Sequence, residues 1–249
     1  MPAIVLTGCA SAKVQGGNND VDANQNNGDD ANNNQDDAPP PPPPDAPPPP
    51  PPDAPPVPIS STLQEPTQTT VTAGNMINCN NFGGGGNSTA ENHYYRAYKL
   101  TDFGITNDFS LTQVTFGVEL ATGGPLTATV KVGTISTAVT AATTTLNPAN
   151  ITVLNTTTAT INNGATNIAA PITAAIPANA TILVELTTPD LTAVNGRAFF
   201  PGSNNTGERT PTFFSTPNAN CNIAGIRSYA NLGFPGTQMV MSVTGTHLP

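Results

Sequence analysis

The sequence has no tryptophan, only four tyrosines and nine phenylalanines, and only 9% charged residues. Sugar-binding surfaces use exposed aromatic rings as platforms, so the supply for one is thin. Few bases and a formal charge of −9 exclude the basic patch that phosphate neutralisation requires, so no nucleic-acid partner is expected. No apolar run reaches the ~18–20 residues of a membrane-spanning helix. No GxSxG elbow appears, and the only histidines are His93 and His247. Three cysteines without a CxxC pair do not make a tetrahedral zinc site.

What is present divides sharply near residue 60. Before Ser60 there are eight aspartates and one Lys13, a net −7; after it, eight acids face six bases, a net −2. The acidity therefore belongs to the N-terminal segment, and the remainder is nearly neutral.

The chain opens MPAIVLTGCAS. Leu6-Thr7-Gly8-Cys9 resembles a bacterial lipobox, in which small residues precede a cysteine that is lipidated. That resemblance implies a bacterial lipoprotein with Cys9 as the lipidation site and a membrane contact made by lipid. A secretory signal needs an apolar stretch of ~7–15 residues, and only Met1–Val5 precede the motif, so an upstream start is expected. If Cys9 is lipidated, Cys79 and Cys221 remain, and an even remainder in an exported chain points to a disulfide between them.

From Ala10 to Asp37 the chain is mostly Asn, Asp, Gln, Gly and Ala, with too little apolar surface to offset its ordering entropy. Asp20-Val21-Asp22-Ala23-Asn24 begins like a calcium loop, but Gln25 and Ala31 stand where that motif needs Gly and an acid. Next, Asp37-Ala38 and Asp45-Ala46 each precede six prolines. Such runs favour polyproline II, and about twenty residues make a rod of roughly 60 Å. Residues 10–59 thus read as a disordered tether behind a signal remnant at 1–9. A proline-motif ligand is the alternative, disfavoured by the lack of flanking Arg or Lys.

From Ser60 the pattern changes to period two. Val114, Phe116 and Val118 alternate with Gln113, Thr115, Gly117 and Glu119; Leu126, Ala128, Val130 and Val132 alternate with Thr127, Thr129 and Lys131. Ile182, Val184 and Leu186, then Met239, Met241 and Val243, repeat it. Turn residues bound the runs: Gly123-Gly124-Pro125, Asn162-Asn163-Gly164, Pro177-Ala178-Asn179 and Gly245. One-sided alternation needs two sheets covering each other, so residues 60–249 are expected to form an all-β antiparallel sandwich or jelly roll. The Thr- and Ala-rich stretch 140–180 reads as short strands and loops.

Tyr94-Tyr95-Arg96-Ala97-Tyr98-Lys99-Leu100, Asp102-Phe103-Gly104-Ile105 and Val114 to Glu119 resemble a β-sandwich module of secreted gram-negative proteins. So do Phe199 to Glu208, Cys221 and Gly233-Phe234-Pro235. The similarity spans roughly residues 75–246. It implies export and a sandwich fold, and no activity.

Chemistry is sparse. A Ser–His–acid triad would draw on His93 with Glu119 or Asp102. His247 is expected to fray with the C-terminus. Arg96 and Glu119 are expected to form an ion pair. Asn78 to Gly86 reads as a flexible Gly-rich loop near the disulfide. For sugar binding the aromatic candidates are Tyr94, Tyr95, Tyr98, Tyr229, Phe213 and Phe214, most of them expected in the core. The best polar ligand loop is Gly202 to Arg209, with Asn204, Asn205, Glu208 and Arg209; it could hold a ligand or calcium through oxygens, or be a turn held by Asn side chains. The expected function is a non-enzymatic, lipid-anchored adhesion or interaction module on the outer membrane or cell surface of a gram-negative bacterium. It needs no cofactor and meets a glycan or protein there. A carbohydrate-binding module is the alternative, and a secreted hydrolase the last.

Overall fold

Alternation becomes burial wherever one side chain in two is apolar. Val114, Phe116, Val130, Val132, Val184, Leu186, Met241 and Val243 are all buried, while Ser110, Thr112 and Thr127 face outward. The computed structural model describes residues 55–65, 70–81 and 88–249. Cys9, most of the tether and the glycines 83–86 lie outside these residues.

Sixteen strands are described: β1 (Ile59–Glu65), β2 (Asn80–Asn81), β3 (Ser88–Thr89), β4 (Asn92–Lys99), β5 (Phe109–Thr122), β6 (Leu126–Ile135), β7 (Thr145–Leu146), β8 (Ile151–Ile161), β9 (Asn167–Ile176), β10 (Thr181–Thr188), β11 (Ala198–Pro201), β12 (Ser203–Asn204), β13 (Phe213–Ser215), β14 (Ile226–Ser228), β15 (Gln238–Met239) and β16 (Met241–His247). Among the described residues the only helical elements are three short 3₁₀ turns, and no helix is long and apolar enough to cross a membrane.

The pairings are antiparallel. The larger main sheet runs β7-β14-β13-β4-β10-β6-β8; the smaller runs β1-β16-β5-β11, with β9 also on β5; β12-β15 and β2-β3 form two further two-stranded pairs. Their inner faces share one core, in which Tyr94, Tyr98, Val130 and Val184 of the larger sheet meet Leu63, Phe116, Ile172 and Val243 of the smaller. Burying each such side chain contributes roughly 1.5–3 kcal/mol. Tyr98 ties the layers together, since its hydroxyl donates to the Met241 carbonyl at 2.8 Å. This is the expected all-β sandwich.

Three expectations need correcting. The stretch 140–180 holds two long strands, β8 of 11 residues and β9 of 10. Threonine and alanine hide the alternation there, because β8 is an edge strand with Thr152 to Thr156 exposed. Gly245 is not a turn but lies inside β16 beside a bulge. A Cβ there would sit 2.4 Å from the Ser110 carbonyl oxygen and 2.6 Å from the Phe109 ring, so the close approach of two strands requires glycine. His247 does not fray: it pairs with Ile59 and Phe109, and its Nε2 lies 3.0 Å from Ser61 Oγ.

A second apolar cluster covers part of the larger sheet's outer face. The connection from β6 to β8 crosses that face, and its Val139 and Leu146 pack on Tyr95, Ala97, Leu183, Phe213 and Ile226. This strap leaves the neighbouring part of the face open.

Candidate functional site

Beside the strap lies a hollow of about 490 Å³, within the range of small-ligand sites. Its floor is His93, Tyr95 and Glu185; one end is walled by Ile151 and Val153, the other by Pro217, Ile223 and Ile226. These residues sit on β8, β10, β4 and the β13–β14 segment, so the hollow spans the neighbouring strands β8, β6, β10, β4, β13 and β14. Five inter-strand spacings of ~4.8 Å make it about 24 Å wide.

Strand period places the polar floor. On β4, Tyr94, Arg96 and Tyr98 point into the sandwich, so His93 and Tyr95 point out. Register sets Tyr95 beside Glu185, Glu185 beside Lys131, and His93 beside Thr187 and Ser215. Groups from three strands, β4, β6 and β10, therefore converge. Glu185 Oε1 accepts from His93 Nδ1 at 2.8 Å, Lys131 Nζ at 2.9 Å and Thr187 Oγ1 at 3.0 Å. His93 Nε2 reaches Glu91 Oε1 at 2.8 Å, and the Glu91 side chain is 40% exposed.

The charges tune one another. Burial works against a charged His93, but Glu185 and Glu91 outweigh it and raise its pKa above the usual 6.5. Burial likewise opposes the Glu185 carboxylate, yet bonds from His93 and Lys131 lower its pKa to about 2. Burial pushes the Tyr95 hydroxyl up to about 12, so it stays protonated; it lies 3.4 Å from Ser215 Oγ.

The disulfide is present and holds one wall. Cys79 and Cys221 are bonded, with Cα atoms 6.0 Å apart. Cys221 ends the 3₁₀ turn Ala219–Cys221, between wall residues Pro217 and Ile223. Thr216 Oγ1 adds a bond to the Glu91 carbonyl at 2.7 Å, fixing the same loop to the floor.

The polar loop singled out from sequence lies elsewhere, and its groups are engaged within the chain. Asn204 is buried: its Oδ1 accepts from Gln238 Nε2 at 2.8 Å and its Nδ2 donates to the Thr70 carbonyl. Asn205 is exposed, and its Oδ1 lies 3.4 Å from Thr237 Oγ1. Arg209 donates to the Asp102 carbonyl at 2.8 Å and covers the Phe103 ring at 5.0 Å. Glu208 pairs with the fully buried Arg96 at 2.5 Å and accepts from the Thr212 backbone N–H. Burial raises the Glu208 pKa despite Arg96 and Thr212. The expected partner of Arg96 was Glu119; that carboxylate instead accepts from the Gly74 N–H at 2.7 Å. Among the described residues no cluster of three or more His, Cys, Asp or Glu is arranged to hold a metal.

His93 does not meet Glu119 or Asp102 as a triad would need; its ring nitrogens face Glu185 and Glu91. Tyr94, Tyr95, Tyr98, Tyr229, Phe213 and Phe214 are all buried. A second hollow of about 420 Å³, over Gly117 and Val71, has no titratable side chain in its lining. Sequence reading missed the Glu91–His93–Glu185–Lys131 cluster, since 92 residues separate His93 from Glu185. The one available signal was a charge at Lys131 and at Glu185 on the polar side of two alternating strands. No family model, curated protein or solved structure matches the chain.

Proposed function

We propose that this chain is an exported, lipid-anchored interaction module without catalytic activity, held off a gram-negative outer membrane or cell surface by its N-terminal segment. The observation that carries the reading is the Cys79–Cys221 bond. It belongs with an oxidising compartment, and it commits two of the three cysteines, leaving Cys9 behind Leu6-Thr7-Gly8 for lipid. The same bond braces a wall of the hollow, as a binding seat requires. His93 Nε2 faces a carboxylate instead of a nucleophilic hydroxyl, which favours binding over hydrolysis. Buried aromatic rings favour a protein contact over a stacked glycan.

Expression behind an upstream signal sequence, followed by cell fractionation, tests the anchor. Wild-type protein should partition with membranes, and Cys9→Ser should move it to the soluble fraction still folded, because Cys9 lies outside the disulfide loop. Membrane association unchanged by Cys9→Ser would overturn the lipoprotein reading.

A further inference from the structure

We propose that the hollow on the larger sheet binds an extended peptide carrying a basic side chain at its centre and apolar side chains at its ends. The inference rests on the interaction-module reading and names the ligand class of that site. Three features of the hollow select this class.

The first is length. The hollow is about 24 Å wide, and an extended peptide advances ~3.3 Å per residue, so about seven residues span it. The second is the order of chemistry along it. Ile151 and Val153 form one end, and Pro217, Ile223 and Ile226 the other, with the charged floor between them. Val153 is 52% exposed, an apolar surface ready to be covered. The third is charge. Glu185 of the floor bonds one permanent cation, Lys131, and Glu91, next to the lining, reaches the floor through His93. His93 lies between the carboxylates and decides the balance. When it is protonated the four charges cancel; when it is neutral this four-residue cluster, in and beside the floor, carries one net negative charge. Glu91, the more exposed acid, then has no cation beside it among the four, and a lysine or arginine of the ligand supplies one.

A stacked sugar fits this seat less well. The only aromatic ring in its lining is Tyr95, which is 6% exposed and lies in the floor. Its walls are aliphatic and proline side chains, which match aliphatic peptide side chains.

The groups around His93 set the pH dependence. Glu185 and Thr187 reach it from β10, Glu91 from the preceding residues of its own chain segment, and Lys131 acts through Glu185 from β6. As pH rises past the His93 pKa the floor gains net negative charge, while a ligand lysine stays protonated to pH ~10. Binding should therefore tighten on the alkaline side. A ligand held by apolar contacts alone has no such dependence.

The test uses the full, disulfide-bonded chain and calorimetric titration with a defined probe. The probe is a capped heptapeptide with leucine at both ends, lysine at the centre and serine between. A second peptide replaces the lysine with norleucine, and chitotetraose is the sugar probe. The lysine peptide should bind about tenfold tighter than the norleucine peptide at pH 8, with the advantage shrinking at pH 5.5. Glu91→Gln should erase most of that advantage, and Val153→Asp should weaken both peptides. Val194→Asp, an exposed valine outside the hollow, should change neither. Thermal melts of each variant confirm folding. Equal binding of the two peptides, affinity unaffected by Val153→Asp, or no peptide binding would overturn the proposal. Chitotetraose binding lost in Val153→Asp would also overturn it, while leaving the module reading intact. The anchor is read separately by Cys9→Ser fractionation, so the two failures are distinguishable.

Discussion

His93 and Arg96 stand three residues apart on β4 and face opposite sides of the larger sheet. Arg96 points into the sandwich, is fully buried, and donates to Glu208 and to Thr212. Thr212 also accepts from the Met239 N–H, so the cluster joins β4, the 202–212 loop and β15. Its groups are turned on one another inside the protein. His93 points outward and bridges Glu91 and Glu185, but it does so in the floor of an open hollow. Both clusters pair a cationic side chain with carboxylates. What separates them is where the remaining hydrogen-bonding capacity ends: in the fold on one side of the strand, at solvent on the other. A polar cluster suits a ligand when some of its capacity is left facing outward; in the 204–209 loop Asn204 and Glu208 turn theirs into the fold, while Asn205 and Arg209 are exposed.

The largest expected effect concerns what holds these two sides together. The disulfide closes a separation of 142 residues, which in the chain-entropy model stabilises the fold by about 5 kcal/mol. Cys79→Ala with Cys221→Ala should lower urea-unfolding stability by up to that amount, less any compactness of the unfolded chain. It should also loosen the outer wall around Pro217 to Ile223 before the inner core, seen as faster amide exchange there. Uniform loosening of both regions would break the comparison.

Next is the contrast between the clusters themselves. Arg96→Ala leaves the Glu208 carboxylate half-buried without its cation and should cost roughly 3–5 kcal/mol. Glu185→Gln removes a carboxylate whose pKa is held at about 2 by bonds from His93 and Lys131; because the network opens on a hollow, the loss should be smaller, roughly 1–3 kcal/mol. Equal losses in denaturant titrations would mean that the outer cluster is structural after all.

The smallest effect is a pH signature. The His93 pKa is raised in the folded state, so its contribution to stability is complete below the usual 6.5 and disappears as pH rises through the raised value. The Glu185 pKa is lowered to about 2, so its contribution is present above 4.5 and disappears as pH falls toward 2. Melting temperature should therefore decline on the alkaline side of neutrality in wild-type protein. That decline should be flatter in His93→Gln. Identical slopes would show that the His93 charge state does not matter to folding.

How much of this could be read in advance differs element by element. Strands β5, β6, β10 and β16 were legible because branched and aromatic side chains alternate with threonine, lysine and glutamate. The edge strand β8 was not: a strand with one open edge and few buried side chains needs little apolar alternation, and threonine serves on either face. The cysteine pairing was legible from parity. The partner of Arg96 was not, because a buried cation is satisfied by whichever carboxylate the loops deliver, and the 202–212 loop delivers Glu208. His93 was visible as a residue, but its two carboxylates were not.

By itself, then, the amino-acid sequence determined the local choices: period two, turn glycines, a sharp compositional break near residue 60, and a pair of cysteines after that break. Those follow from backbone sterics, side-chain polarity and covalent chemistry, which act over a few residues or by simple count. Only the tertiary structure decided which face of β4 would be sealed and which left open. Strand order put Glu185 and Lys131 beside His93, the strap between β6 and β8 covered part of that face, and the disulfide loop walled the other end. Each is a contact between residues far apart in the chain, set by packing two sheets and closing loops over them, and no local pattern encodes it.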